Sequence, residues 1–416
     1  MSRSALTTVH PKLDRVLQPS GKQPQAPQQS LPTHFPRETS KHLPGVLFRG
    51  FIFDGSGYSE ETWVEALGVD SAGINIQVEA IGAPHDLRKL LPDGASARLE
   101  ELIRHRISLN RGVFYMCAPP DMFDRHTSGK YRIGRTMFET DRIPEGWAEL
   151  CMTMDEIWVP CQFNVETFAG AGVERSRLRV LHPGVDTSIF RPGVQPLALP
   201  QTRAFNFLSV FDWHERKGYD VLLRAYLSEF RSDEDVALIL KVYQINDPVS
   251  DLEAKIAHFI ERRANMRLED SPPIVLVNGF IPQSRMPQLY AAAQAFVLPS
   301  RGEGYGRPYM EAMACRLPVI GTRWSGQMEF MSDANSYLVE LDGLVEPPAD
   351  VDMEYYSGHL WAQPSVDDLR AKMRHVVTHR EETQARALRG HEQMVSRFSW
   401  DAVLPQWVEQ FRRLLG

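Results

Sequence analysis

The stretch Leu298-Pro299-Ser300-Arg301-Gly302-Glu303-Gly304-Tyr305-Gly306-Arg307-Pro308-Tyr309-Met310-Glu311-Ala312-Met313-Ala314 decides how this chain is read. It continues from the apolar run Ala295–Leu298, which has the length and character of a buried strand. Gly302, Gly304 and Gly306 then make a loop through which a ligand can approach the backbone closely. Pro308 falls where a helix should begin, because its fixed φ suits the first turn. A helix opening there offers free N–H groups and positive dipole, a setting suited to a phosphate or a partly charged sugar. Glu303 heads the loop, and Glu311 reads as part of the first helical turn, with seven residues between them in the pattern E-x7-E. The two carboxylates can therefore address one cleft from opposite ends of the loop.

Outward from this stretch, apolar runs alternate with helical patterns. Phe205–Val210, Val236–Val242, Ile274–Val277, Ala295–Leu298 and Pro318–Gly321 form one series. Gly45–Phe53, Ile74–Val78, Gly112–Cys117, Tyr131–Phe138, Glu156–Val159 and Leu178–Leu181 form an earlier one. Such alternation predicts parallel sheets with crossover helices. Between the series, Pro183-Gly184-Val185-Asp186 and the Pro-containing stretch to Pro200 read as a linker. The expected organisation is a disordered or loosely docked tail over 1–44, rich in Pro, Gln, Ser and Lys. An α/β domain over 45–195 follows, then a second over 196–395. A C-terminal helix over 396–416 carries Trp400, Val403, Leu404, Trp407 and Phe411 at helical spacing and docks back on the first domain. In the first domain, Asp54-Gly55-Ser56-Gly57-Tyr58 makes the turn into a helix capped by Ser59.

Composition narrows the function. The chain has 416 residues, enough for two α/β domains, and is 43% hydrophobic and 24% charged. A net charge of −7 gives no electrostatic reason to expect nucleic acid. The four cysteines form no CxxC pair and the 13 histidines no HExxH, so zinc and a disulfide framework are not expected. No apolar run reaches the roughly 20 residues of a bilayer span, and the N-terminus shows no apolar leader, so a cytoplasmic location is expected. The basic run from Arg104 to Arg111 leaves open a peripheral contact with the inner face of a membrane, although a solvated helix face explains it more simply.

The block Glu303–Ala314 resembles the E-x7-E element of retaining GT-B glycosyltransferases, glycosyltransferase family 4 in particular. The likeness extends to Val210-Phe211-Asp212-Trp213-His214-Glu215-Arg216-Lys217-Gly218, where Lys217 matches the lysine of the family's phosphate-binding segment, and to His182–Asp186. It covers Gly45 to Gly416. It implies a GT-B fold: two Rossmann-like domains with parallel sheets facing across an interdomain cleft. It implies a retaining, metal-independent hexosyltransferase acting between a nucleotide sugar and a carbohydrate, lipid-linked or other hydroxyl acceptor, with no cofactor beyond that co-substrate. Within that resemblance, Glu303 and Glu139 are the catalytic candidates. Arg216, Lys217, Gly304, Tyr305, Gly306 and Glu311 are the donor-binding ones. Gly55, Ser56, Gly57 and Tyr58 would form the acceptor and diphosphate loop. Much of the family has an arginine five residues before the lysine, where this chain has Asp212; many relatives have a histidine near the position of Glu139. Asp350-Val351-Asp352 has the form of a metal-binding triplet of the other large glycosyltransferase fold, but beside Pro347-Pro348 it reads as loop acid, and no metal site is expected. Two alternatives share the fold: a sugar-nucleotide epimerase, and a nucleotide-sugar-binding protein without activity.

Overall fold

The computed structural model describes residues 6–9, 43–53, 56–82, 91, 94–123, 129–243, 251–279, 281–348 and 354–416. They form two compact units. The larger is built on Val185–Ser396 and also takes in the segment Glu139–Asp141 and the first strand, β1 (Leu6–Val9). The smaller holds the rest of the chain from Leu43 to Gly184, and Arg397–Gly416.

In the smaller unit, β2 (Pro44–Phe51), β3 (Ile76–Ile81), β4 (Ser108–Cys117), β5 (Tyr131–Arg135), β6 (Glu156–Val159) and β7 (Leu178–Val180) form one parallel sheet. Its order is β3-β2-β4-β5-β6-β7. Helix Gly57–Ser71 leaves β2, capped by Ser56, whose Oγ accepts from Ser59 N at 3.1 Å, so the cap lies three residues earlier than the sequence suggested. β5 ends at Arg135, three residues before the predicted end, and Thr136 N turns to donate to Trp158 O. The basic run from Arg104 to Arg111 is not one helix face: Arg104 ends a helix and Arg111 lies within β4.

The core of this unit is aromatic. Phe48, Tyr115, Trp158, Trp407 and Phe411 are fully buried, with ring centroids 4.7 Å apart for Phe48 and Tyr115 and 5.0 Å for Trp158 and Phe411. Helix Trp400–Leu415 supplies two of these rings, and Trp407 Nε1 donates to His182 O at 2.9 Å. Below them lies a buried charge cluster. The Arg135 guanidinium, 5.1 Å from the Trp407 ring, is bonded to Glu61 and lies 3.8 Å from Glu65, which accepts from Tyr115 Oη.

The larger unit holds β8 (Phe205–Asp212), β9 (Val236–Tyr243), β10 (Ile274–Asn278), β11 (Ala295–Leu298), β12 (Val319–Thr322) and β13 (Tyr337–Val339). With β1 they make a parallel sheet of order β1-β10-β9-β8-β11-β12-β13. A separate antiparallel pair joins β14 (Leu341–Val345) to β15 (Trp361–Pro364). β8 to β11 are buried almost throughout, as expected of strands covered on both faces. The order reverses between β8 and β11, so the loops leaving these two neighbouring strands open a crevice at their carboxyl ends.

Two boundaries differ from expectation. The tail expected to be disordered or loosely docked contributes a paired strand, β1, in register with β10 from Leu6↔Ile274 to Val9↔Val277. The chain passes between units after Gly184, not near 195. Residues beyond 184 already pack in the larger unit: Phe190 lies 5.9 Å from Tyr290, and Leu197 N donates to Gln288 O at 2.8 Å.

Candidate active site

The site grows from the two loops at the order reversal. After β8 the chain makes one short turn, Glu215–Lys217, then enters helix Tyr219–Glu229. After β11 it runs through Pro299–Gly306 into helix Arg307–Ala314. Arg301 fastens the two loops together. Its backbone N donates to Arg216 O at 2.6 Å, and its guanidinium grips Asp220 at 2.7 and 2.9 Å and Glu215 O at 2.7 Å. These bonds fix where Arg216 and Lys217 stand.

Glu303 is the hub. Lys217 Nζ lies 2.8 Å from both of its carboxylate oxygens, and Arg216 Nη1 lies 3.4 Å from one of them. Arg216 Nη1 also donates to Gly302 O at 2.6 Å, and Nη2 pairs with Glu139 Oε1 at 3.3 Å. Glu139 Oε2 accepts from Tyr356 Oη at 3.3 Å. The segment carrying Glu139 is held by Thr140 Oγ1 with His359 Nδ1 at 2.7 Å and by Asp141 with the Leu360 backbone. A Cβ on Gly302 would stand 2.0 Å from Glu139 O, so only glycine lets these two backbones meet. Gly306, at φ +103°, opens the helix.

Burial works to raise the Glu303 pKa, but the Lys217 ammonium and the Arg216 guanidinium outweigh it and hold the carboxyl below its usual range. Burial pulls Lys217 down, with the Glu303 carboxylate 2.8 Å away opposing. His214, whose Nδ1 accepts from Arg216 N, is pushed to about 2 by burial and by the two cations, and stays neutral. The cluster thus sets two cations against two carboxylates.

Glu311 is the fifth residue of its helix, past the first turn where the sequence placed it. Tyr290 Oη donates to its Oε2 at 2.8 Å. Tyr305 does not present its ring to the crevice; the ring is buried 5.3 Å from Phe330. Gly304 O lies 2.4 Å from where a Cβ of Gly326 would be, and Ser325 Oγ accepts from Glu303 N at 2.9 Å. The Trp324 ring packs beside Gly302. Ser56, Gly57 and Tyr58 belong to the smaller unit, where Tyr58 Oη bonds Thr136 and Met137 O; Gly55 and Asp350–Asp352 lie outside the described residues. No cluster of three or more His, Cys, Asp or Glu suited to a metal occurs among the described residues.

Arg301, Tyr356, Ser325 and Tyr290 escaped the sequence reading. Arg301 stood inside the quoted stretch and was the one with a usable signal, an arginine between a buried strand and an acidic loop.

Residues 202–353 match the family described as "Glycosyl transferases group 1". The D-inositol 3-phosphate glycosyltransferase 1 of Catenulispora acidiphila is 28% identical over 228 residues, covering 50% of this chain and 53% of its own. The O-antigen chain mannosyltransferase B of Escherichia coli is 35% identical over 136 residues, 33% of this chain and 29% of its own. The chain therefore spans about half, or less, of the length of these curated relatives. Anabaena HepE, solved with UDP-glucose, shares the fold at a TM-score of 0.61 and 14% identity, over 89% of this chain and 98% of that one. Residues 202–353, which hold Arg216, Lys217, Glu303 and Glu311, are thus similar to the glycosyl transferases group 1 family, in a chain of GT-B fold.

Proposed function

We propose that this chain is a retaining, metal-independent glycosyltransferase that moves a hexose from a nucleotide sugar to a hydroxyl acceptor, as in family 4. The observation that carries the reading is the meeting of Arg216 and Lys217 with Glu303 where the strand order reverses. UDP-glucose in HepE supports a nucleotide-hexose donor, and the names of the curated relatives support transfer.

In this reading the glycosidic bond to the diphosphate breaks through an oxocarbenium-like transition state. The acceptor oxygen bonds the same face of the ring, and the departing phosphate takes the acceptor's proton. Negative charge develops on the leaving group beside Lys217, Arg216 and the N-terminus of helix Arg307–Ala314. These groups are already desolvated and oriented, so their attraction grows with the charge. Lys217 exchanges Glu303 for phosphate oxygens, and the released carboxylate meets the sugar ring as positive charge appears there. Glu139 orients Arg216, and Glu311 holds ribose hydroxyls. The acceptor, a carbohydrate or a lipid-linked hydroxyl, falls to Ser56–Tyr58 and its neighbours.

The test is a donor screen with UDP-, GDP-, ADP- and dTDP-sugars in EDTA, with the anomeric configuration of the product read by NMR. Transfer with retained configuration is expected. Activity restored only by Mn²⁺ or Mg²⁺, an inverted product, or conversion of donor to an epimer without acceptor would each overturn the corresponding part. Glu311→Gln should weaken nucleoside diphosphate binding roughly ten- to a hundredfold, the worth of one charged hydrogen bond.

A further inference from the structure

β9 reads Val236-Ala237-Leu238-Ile239-Leu240-Lys241-Val242-Tyr243, a buried run with one charge in it. Lys241 is 3% exposed. In register it stands between Val210 of β8 and Val277 of β10, near the carboxyl ends where the site opens. Its Nζ lies 4.7 Å from the Tyr243 ring centroid on its own strand. The charged groups facing it are Asp212 at the end of β8 and Glu311 on helix Arg307–Ala314. Among the described residues no hydrogen bond or ion pair engages the amine, whereas Lys217 and Arg216 are both committed to carboxylates.

Holding an ammonium this deep among apolar neighbours without a bonded partner is unfavourable. A leucine would serve this strand better, so something outside the strand must offset the cost. An ammonium offers only donors, so what it meets must be an acceptor. We infer that Lys241 is a donor-recognition residue, its ammonium contacting an acceptor oxygen of the nucleoside diphosphate beside Glu311. This rests on the proposed function and adds to it a third cation with a distinct titration. Burial pulls Lys241 down to about 7, against the opposing pull of Asp212 and Glu311. A bound anion raises it again, so binding takes up a proton. The contribution of Lys241 is full below pH 7 and falls by roughly tenfold in affinity per pH unit above it, until the ligated value is reached.

The experiment is isothermal titration of UDP, GDP and ADP into the wild type and Lys241→Met from pH 7 to 9, in HEPES and in Tris. For the tightest nucleotide, the variant should bind at least tenfold more weakly at pH 7 and lose the decline with pH. The wild-type heat at pH 8 should differ between the two buffers, reporting proton uptake. The variant should melt no lower than the wild type, having lost an unpaired buried charge. Equal affinity with an unchanged pH profile overturns the inference and leaves the glycosyltransferase reading intact. If none of the three nucleotides binds the wild type, the proposed function itself fails. Should the variant not fold, the wild type decides: no buffer-dependent heat overturns the role of Lys241.

Discussion

Each unit buries a carboxylate cluster around an arginine, and the two clusters solve the same electrostatic problem in opposite ways. In the smaller unit Arg135 faces Glu61 and Glu65, one cation against two acids, in the core beneath Trp407. Burial, then Glu61, pushes Glu65 well above its usual range despite Arg135, so this cluster balances its charge by keeping a proton. In the larger unit Arg216 and Lys217 face Glu303 and Glu139, and Glu303 is held low. That cluster balances by ion pairing and keeps all four groups available. Burial of a carboxylate is common to both; the direction of its shift separates a core built to be shut from a site built to exchange partners. The pH dependences follow with opposite signs. The stability owed to Glu303 is present above the ordinary glutamate value and is lost as pH falls through its depressed folded value. That owed to Glu65 is full below the ordinary value and is lost as pH rises through its elevated one.

Removing the core cation should have the largest effect. Arg135→Met strands Glu61 in a buried site, and urea unfolding should show a loss of about 3–5 kcal/mol; a loss under about 1 kcal/mol would erase the distinction between the clusters. Glu303→Gln comes next. It should lower turnover roughly ten- to a hundredfold while leaving nucleoside diphosphate affinity unchanged or tighter, since the amide releases Lys217 towards phosphate. Calorimetry beside steady-state rates checks it, and a weaker nucleoside diphosphate complex would show that Glu303 acts on the nucleotide instead. Glu65→Gln should change least, because an amide has the shape of the protonated acid. Urea midpoints should show an advantage for the variant that widens as pH rises above the ordinary glutamate value; a variant less stable at every pH would mean that Glu65 is ionised in the core.

The two loops of the site were legible in the sequence because each carries its own local signal. Ala295–Leu298 is buried at every position, and the strand begins and ends where the apolar run does. Lys217 and Glu303 were each marked out by glycines and by their place after a strand. Groups that act through distant contact left no such trace. Lys241 looks like any polar residue in a strand, and Tyr356 becomes part of the site only because Glu139, far back in the chain, reaches it. Leu6-Thr7-Thr8-Val9 is too short to show a period amid its polar surroundings, so only pairing with β10 makes it a strand. Glu311 falls just past the first turn because the helix opens at Arg307, one residue before the proline that signals it.

β1 has one more consequence, which concerns time. Leu6 is made long before its partner on β10, Ile274. At ~5–20 residues per second, a ribosome leaves that short strand waiting on the order of 10–50 s for its neighbour. The smaller unit waits nearly as long, because the rings of Trp407 and Phe411 close a core whose sheet was finished at Val180. Both units therefore leave the ribosome with an apolar surface still open, and a nascent chain stalled before residue 400 should be a ready client for a chaperone.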